Sequence, residues 1–166
     1  MVEITYQMML STLQTAGILI GIFYYITTLR NQNRARQAQL LMQMHIYERN
    51  ETKSLNLNFF ELTSKKITGF QEYREKMEND IDFREASTAR FGFNEVLGVF
   101  VKAGYFDIHN VALMWAGKTR MYYENIFEPM IDEARIYYAF PRLGSETEYL
   151  CKTLIKYMDE HPELKT

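Results

Sequence analysis

Every position from Ile4 to Leu29 is uncharged. As a helix, that run spans roughly 39 Å at about 1.5 Å per residue, and the hydrocarbon core of a bilayer needs about 20 residues. The pattern predicts one transmembrane helix. Its most apolar part runs from Ala16 to Ile26. The first half is softer, with Thr5, Gln7, Ser11, Thr12, Gln14 and Thr15.

The flank distinguishes a span from two rival readings. A cleaved signal peptide needs a basic residue before the apolar run and a small-x-small site after it. Here only Glu3 precedes, and Tyr24, Tyr25, Ile26, Thr27 and Thr28 fill the later region. A buried core helix would suit the hydroxyls and amides, but Arg30, Arg34 and Arg36 begin where the apolar run stops. Tyr24 and Tyr25 lie just inside that border, where amphipathic rings sit at headgroup level, and the arginines act with Tyr24 as membrane-surface anchors. Positive charge after the span and none before it predicts an N-terminus outside and a cytoplasmic C-terminal part, in the cell (plasma) membrane.

Within the span the polar residues fall on one side. Gln7, Ser11, Gln14, Ile18, Gly21, Tyr25 and Thr28 recur at helical spacing, and Gly17 with Gly21 makes a G-x-x-x-G pair. The face with Met8, Leu19, Ile22, Ile26 and Leu29 is more apolar. Lipid gives apolar helices no hydrophobic reason to associate, so they meet through close backbone approach and hydrogen bonds between helices. The stripe Gln7, Ser11, Gln14, Gly17, Gly21, Tyr25 and Thr28 therefore predicts a homo-oligomer interface or an interface with another membrane subunit. A sharper alternative places Gln7, Ser11 and Gln14 around a water-filled pore.

Beyond the span the helical pattern continues. Arg30 to Tyr47 lacks Gly and Pro and is rich in helix formers, so one helix is expected from about residue 4 to about residue 49. Its Leu40, Leu41, Met44 and Tyr47 face is expected to pack on the helical domain or on a neighbouring copy. Further helices are predicted near Thr52–Thr63, from Thr68 (with Gln71 as a capping partner), from Phe83 to Ala103 (with Asp82 and Glu85), and from Ile108 to about Phe127 behind Asp107. Pro129 kinks that last helix or opens the next at N1, Met130 to about Tyr138. Ser145 with Glu148 reads as a capping box for a final helix to Asp159. The fold class is all-α: a transmembrane helix (1–29), a juxtamembrane helix (30–50) and a compact cytoplasmic helical bundle (51–166).

Composition changes the picture in three ways. Twelve Tyr, 11 Phe and 10 Met against 3 Pro and 8 Gly favour long helices with aromatic packing. A formal net charge of -2 gives no basic field, so nucleic acid is not expected as a partner. The single cysteine, Cys151, rules out an intrachain disulfide.

Candidate chemistry is sparse. His45, His109 and His161 are far apart in sequence and lack helical metal-ligand spacing. There is no phosphate loop, dinucleotide fingerprint or serine elbow. No cofactor, metal or catalytic residue is predicted. Glu95, beside Asn94 in the apolar Phe83–Ala103 pattern, is either a buried carboxylate paired with Arg120 or Arg135, or a group on the wet edge of its helix. Gly92 and Gly98 read as places of close helix packing. Trp115, Met114, Tyr122, Tyr123, Phe127, Tyr137, Tyr138 and Phe140 read as an aromatic core.

The succession of a span, the segment RNQNRARQAQLLMQMH, Phe93-Asn94-Glu95-Val96-Leu97-Gly98, Gly104-Tyr105-Phe106-Asp107, and Pro129 with Arg135 resembles an uncharacterised family of short prokaryotic single-span membrane proteins, a domain of unknown function. The resemblance implies an anchor and a helical cytoplasmic domain, and no activity. The leading expectation is a non-enzymatic, homo-oligomeric membrane protein in contact with the lipid bilayer. Behind it stand a channel formed by a ring of these helices, an accessory subunit of a larger membrane complex and, last, a ligand sensor or enzyme.

Overall fold

The computed structural model describes residues 6–51 and 66–165, and within them every regular element is helical. The helix expected at Thr52–Thr63, and Glu3 and Ile4 before the span, lie outside the described residues. Six α-helices appear among the described residues: α1 (Tyr6–Glu51), α2 (Phe70–Asn79), α3 (Ile81–Lys102), α4 (Ile108–Tyr122), α5 (Glu128–Tyr137) and α6 (Ser145–Glu160). A π-helical turn, Tyr123–Phe127, joins α4 to α5, and a 3-10 turn, Pro162–Lys165, follows α6. The chain divides into two units between Gln43 and Met44, so the last turns of α1 belong to the helical domain.

α1 is continuous, as the absence of Gly and Pro after Gly21 predicts. It is long and apolar enough to cross a membrane, and none of its most apolar window is buried. Thr12, Thr15 and Thr27 donate their hydroxyls to the carbonyls of Met8, Ser11 and Phe23, one turn back. Those three hydroxyls are thereby satisfied within the helix.

In the helical domain α6 packs against α3 and α4. Apolar residues of α6 (Leu150, Cys151, Leu154, Met158) return every three or four positions, which turns one stripe inward. The closest approach is at Gly98: a Cβ there would stand 2.3 Å from the carbonyl oxygen of Glu146, so only glycine lets α3 and α6 meet. Gly92, the other glycine expected to permit close packing, has nothing within 4 Å of such an atom. A second core cluster gathers Ile67, Phe70, Tyr122, Ile126, Phe127, Met130 and Ile131 around the π turn. Burying a side chain of this size stabilises by about 1.5–3 kcal/mol.

The π turn has a local cause. Pro129 has no N–H, and its ring crowds the carbonyl four residues back, that of Asn125. The Asn125 carbonyl accepts instead from the Ile67 N–H at 2.9 Å, which docks the segment before α2 onto the α4–α5 corner. Pro129 lies in the first turn of α5, as expected.

Three expected caps differ in detail. Asp80, not Asp82, caps α3, accepting from the Phe83 N–H at 2.9 Å. Thr68 pairs with Glu72 rather than Gln71, and the α2 N-terminus is also met by Glu133 of α5, which accepts from the Phe70 N–H at 3.2 Å. α6 starts at Ser145, but no capping box forms: Gly144 occupies the cap position in a left-handed conformation (φ 68). Asp107 caps α4 through the His109 N–H as predicted, and Gly104 (φ 73) follows α3 as its C′ residue.

Candidate functional site

Two polar features lie on α1, one near each end. The first is the stripe. Gln7, Ser11, Gln14, Gly17, Gly21 and Tyr25 are all exposed, and Thr28 is half-buried. A Cβ at Gly17 or Gly21 would have nothing within 4 Å. Tyr24, Arg30, Arg34 and Arg36 are exposed as well. The helix sets these side chains at one-turn intervals along its surface, and within this chain they meet no second element among the described residues.

The second feature was not legible as a site in the sequence. The expected packing face of Leu40, Leu41, Met44 and Tyr47 is rotated in the structure: Leu41 is buried and Met44 half-buried, whereas Leu40 and Tyr47 are exposed. The face that turns inward carries Glu48, whose side chain is 4% exposed. One of its oxygens, Oε1, accepts from Arg90 Nη1 at 2.7 Å, and Oε2 accepts from Trp115 Nε1 at 2.6 Å. Arg90 Nη2 donates to Thr119 Oγ1 at 3.1 Å, and the guanidinium lies 5.3 Å from the centre of the Phe93 ring. Lys118 Nζ stands 3.7 Å from Glu48 and His45 Nδ1 stands 4.0 Å from it. α1, α3 and α4 thus each supply a group to one buried node.

Burial pulls the Arg90 pKa below its ordinary value, and the charge and hydrogen bond of Glu48 oppose that pull. Charges taken out of water are costly unless paired with good geometry and further hydrogen bonds. This node has both. Its chemistry is structural: a carboxylate held by a guanidinium, an indole and a nearby ammonium has its lone pairs committed.

Glu95 takes neither expected role in full. It is half-buried, and its Oε1 accepts from the Thr147 N–H at 2.6 Å, so it caps α6 from α3. Arg120 pairs with Glu124, one turn on. Arg135 holds Asp132 and Glu148 and donates from Nε to the Leu143 carbonyl at 2.9 Å. Carboxylates from distant helices therefore serve the N-termini of both α2 and α6, where the helix dipole favours negative charge.

Other chemistry-bearing groups are quiet. Burial pushes the Cys151 thiol up to about 12, which removes its thiolate at neutral pH. Burial also raises the Tyr122 phenol. His109 and His161, distant in sequence, share Tyr157: His109 Nδ1 lies 3.0 Å from its hydroxyl, and the His161 ring stacks on its ring. Among the described residues no group of three metal-ligating side chains comes together. The expected aromatic core divides: Trp115, Tyr122, Tyr123 and Phe127 are buried, whereas Met114, Tyr137, Tyr138 and Phe140 are exposed.

Compared with known proteins, the chain matches no family model, and it has no significant match among curated proteins or solved structures.

Proposed function

We propose that this is a non-enzymatic single-span membrane protein that self-associates through the small and polar stripe of α1. The observation that carries the reading is the exposure of the whole apolar window of a helix long enough to cross a bilayer. In water that surface has no compensation, and in hydrocarbon it needs none. The exposed arginines after the span, with none in the apolar run, favour an outside N-terminus and a cytoplasmic helical domain at the plasma membrane. Gln7, Ser11 and Gln14 would sit in the softer half of the span, where a second copy satisfies their side chains and Gly17 and Gly21 admit close backbone approach.

The test is energy transfer between donor- and acceptor-labelled full-length chains in liposomes. Wild-type chains are expected to transfer efficiently at high lipid dilution. Gln14→Leu with Gly21→Leu is expected to abolish transfer while leaving the protein in the membrane. Unchanged transfer in that variant would exclude the stripe as the interface.

A second reading rests on the same three side chains. If Gln7, Ser11 and Gln14 face a shared axis, a ring of chains lines a pore. Purified protein in planar bilayers would then conduct, and silence under voltage and tension would remove this reading.

A further inference from the structure

The three arginines that follow the apolar run of α1 are not alike. Arg30 and Arg34 are exposed and stand one helical turn apart. Counting about 100° per residue, Leu19, Phe23, Ile26 and Arg34 all lie within about 40° of Arg30. These positions make one line along the more apolar face of the helix, and all of them are exposed. Gly21, Tyr25 and Thr28 of the stripe lie about 140–180° round the helix from Arg30, and Arg36 lies about 120° round. Two guanidinium groups therefore close the face that looks away from the stripe. Neither has a counter-charge nearby. No Asp or Glu occurs between Glu3 and Glu48. Arg74, Arg90, Arg120 and Arg135 each hold a carboxylate of the helical domain, whereas Arg30 and Arg34 make no ion pair among the described residues. Asn33, exposed on the same side, adds an amide donor.

We propose that Arg30 and Arg34 form a binding site for the phosphate of an anionic phospholipid. The inference rests on the reading of α1 as a span, and it concerns α1 alone. Depth fits the ligand. The uncharged run ends at Leu29. From Arg30 to Arg34 the helix rises roughly 6 Å at about 1.5 Å per residue, and the headgroup layer on each side of the hydrocarbon is about 5–8 Å thick. Both guanidinium groups thus fall at the level of lipid phosphates. Chemistry fits as well, because a guanidinium meets a phosphate through two parallel hydrogen bonds. Charge selects the headgroup. A zwitterionic lipid carries its own ammonium beside the phosphate, whereas an anionic lipid brings a net negative charge to two cations. A second copy offers the same two cations on this face and is repelled from it, so the face that the stripe leaves free goes to lipid.

The test uses the full chain in nanodiscs that hold phosphatidylcholine and phosphatidylglycerol in equal amounts. Native mass spectrometry of chains released from the nanodiscs reads which lipid stays bound. Wild-type chains are expected to retain phosphatidylglycerol several-fold over phosphatidylcholine. Arg30→Gln and Arg34→Gln are each expected to lower that ratio several-fold, toward equal retention. Arg36→Gln removes the same charge from another face and is expected to leave the ratio nearly unchanged. Circular dichroism establishes that each variant is folded. A fluorophore on Ile18→Cys, with a quencher on the lipid at the bilayer centre, checks the span separately; Cys151 is buried and stays unlabelled. Quenching at 18 with equal retention of the two lipids by the wild type overturns the site and leaves the span intact. Absence of quenching at 18 overturns the span, and the site with it. An equal fall in all three arginine variants shows a diffuse positive field and overturns the site. Added glycerol phosphate is expected to leave the bound lipid in place; its binding in place of lipid assigns the two arginines to a soluble anion and overturns the proposal as well.

Discussion

Gln14 and Glu48 lie on the same helix, each a polar residue among apolar neighbours, yet their situations are opposite. Glu48 is buried, and Arg90 and Trp115 of the same chain hold it at hydrogen-bonding distance. Gln14 is exposed and meets no second element among the described residues. The glycines divide in the same way. Gly98 and Gly144 are required by atoms that crowd the place of a Cβ, whereas nothing stands near Gly17 and Gly21. In the helical domain, then, Glu48, Gly98 and Gly144 are explained by contacts within one chain. Along the first part of α1, Gln14, Gly17 and Gly21 have no such contact among the described residues. On the proposed function such residues would face lipid and other copies of the chain.

The largest expected effect that sharpens this contrast is at Glu48. Glu48→Ala strands the Arg90 charge and the Trp115 N–H in a dry interior, and should cost the helical domain about 3–5 kcal/mol. Thermal or denaturant unfolding measures it. Glu48→Leu combined with Arg90→Met should recover most of that loss, because an apolar pair of similar size carries no desolvation penalty. By contrast Gln14→Leu should leave domain stability unchanged and alter self-association alone.

Glycine replacements come next. Gly98→Ala forces α3 from the Glu146 carbonyl, and Gly144→Ala meets the Phe127 ring at 2.6 Å in a left-handed conformation. Each should destabilise by about 1–3 kcal/mol. Gly17→Ala and Gly21→Ala should leave the unfolding midpoint of the helical domain where it is. A large shift from either would break the comparison.

Loss of the Glu95 cap is smaller. Glu95→Gln keeps the shape but weakens a charge-assisted bond to the Thr147 N–H, and about 1 kcal/mol is expected in the same unfolding assay.

The smallest effect is acid sensitivity. Lys76, helped by Thr68, holds Glu72 down at about 2, and Lys152 with Arg135 holds Glu148 below the usual carboxylate range. Folded-state pKa values that are lowered give stability that is present above the ordinary value near 4.5 and lost as the pH falls below it. Unfolding midpoints should therefore drop from about pH 4.5 toward about pH 2, and Glu148→Gln should flatten that limb. Glu72 lies at the surface, so water screens most of its share.

The sequence made much of the fold readable because its punctuation is local. Asp107, Gly104 and Pro129 act through their own backbone neighbourhood, and the helices they bound appear close to the expected limits. Asp80 caps α3 locally, two residues before the expected position, but two other helix ends were misread for one shared cause. Glu95 and Glu133 reach helix ends far along the chain, and no local motif encodes such a partner. The node at Glu48 was hidden for a related reason. Arg90 falls on the inward phase of α3 with Phe83, Phe93 and Leu97, and an arginine there signals a buried partner, but its partner is 42 residues away. On α3, Phe93, Leu97 and Val101 are buried as the helical period requires, while Val96 is exposed and Asn94 is fully buried. In α1 the stripe was plain, since one helix suffices to align it, and among the described residues no second element of the chain meets it.

Native mass spectrometry of the full-length protein released from nanodiscs tests the central claim most directly. The account predicts a defined homomer that Gln14→Leu with Gly21→Leu converts to single chains. A wild-type monomer, or a homomer indifferent to those two substitutions, would contradict it.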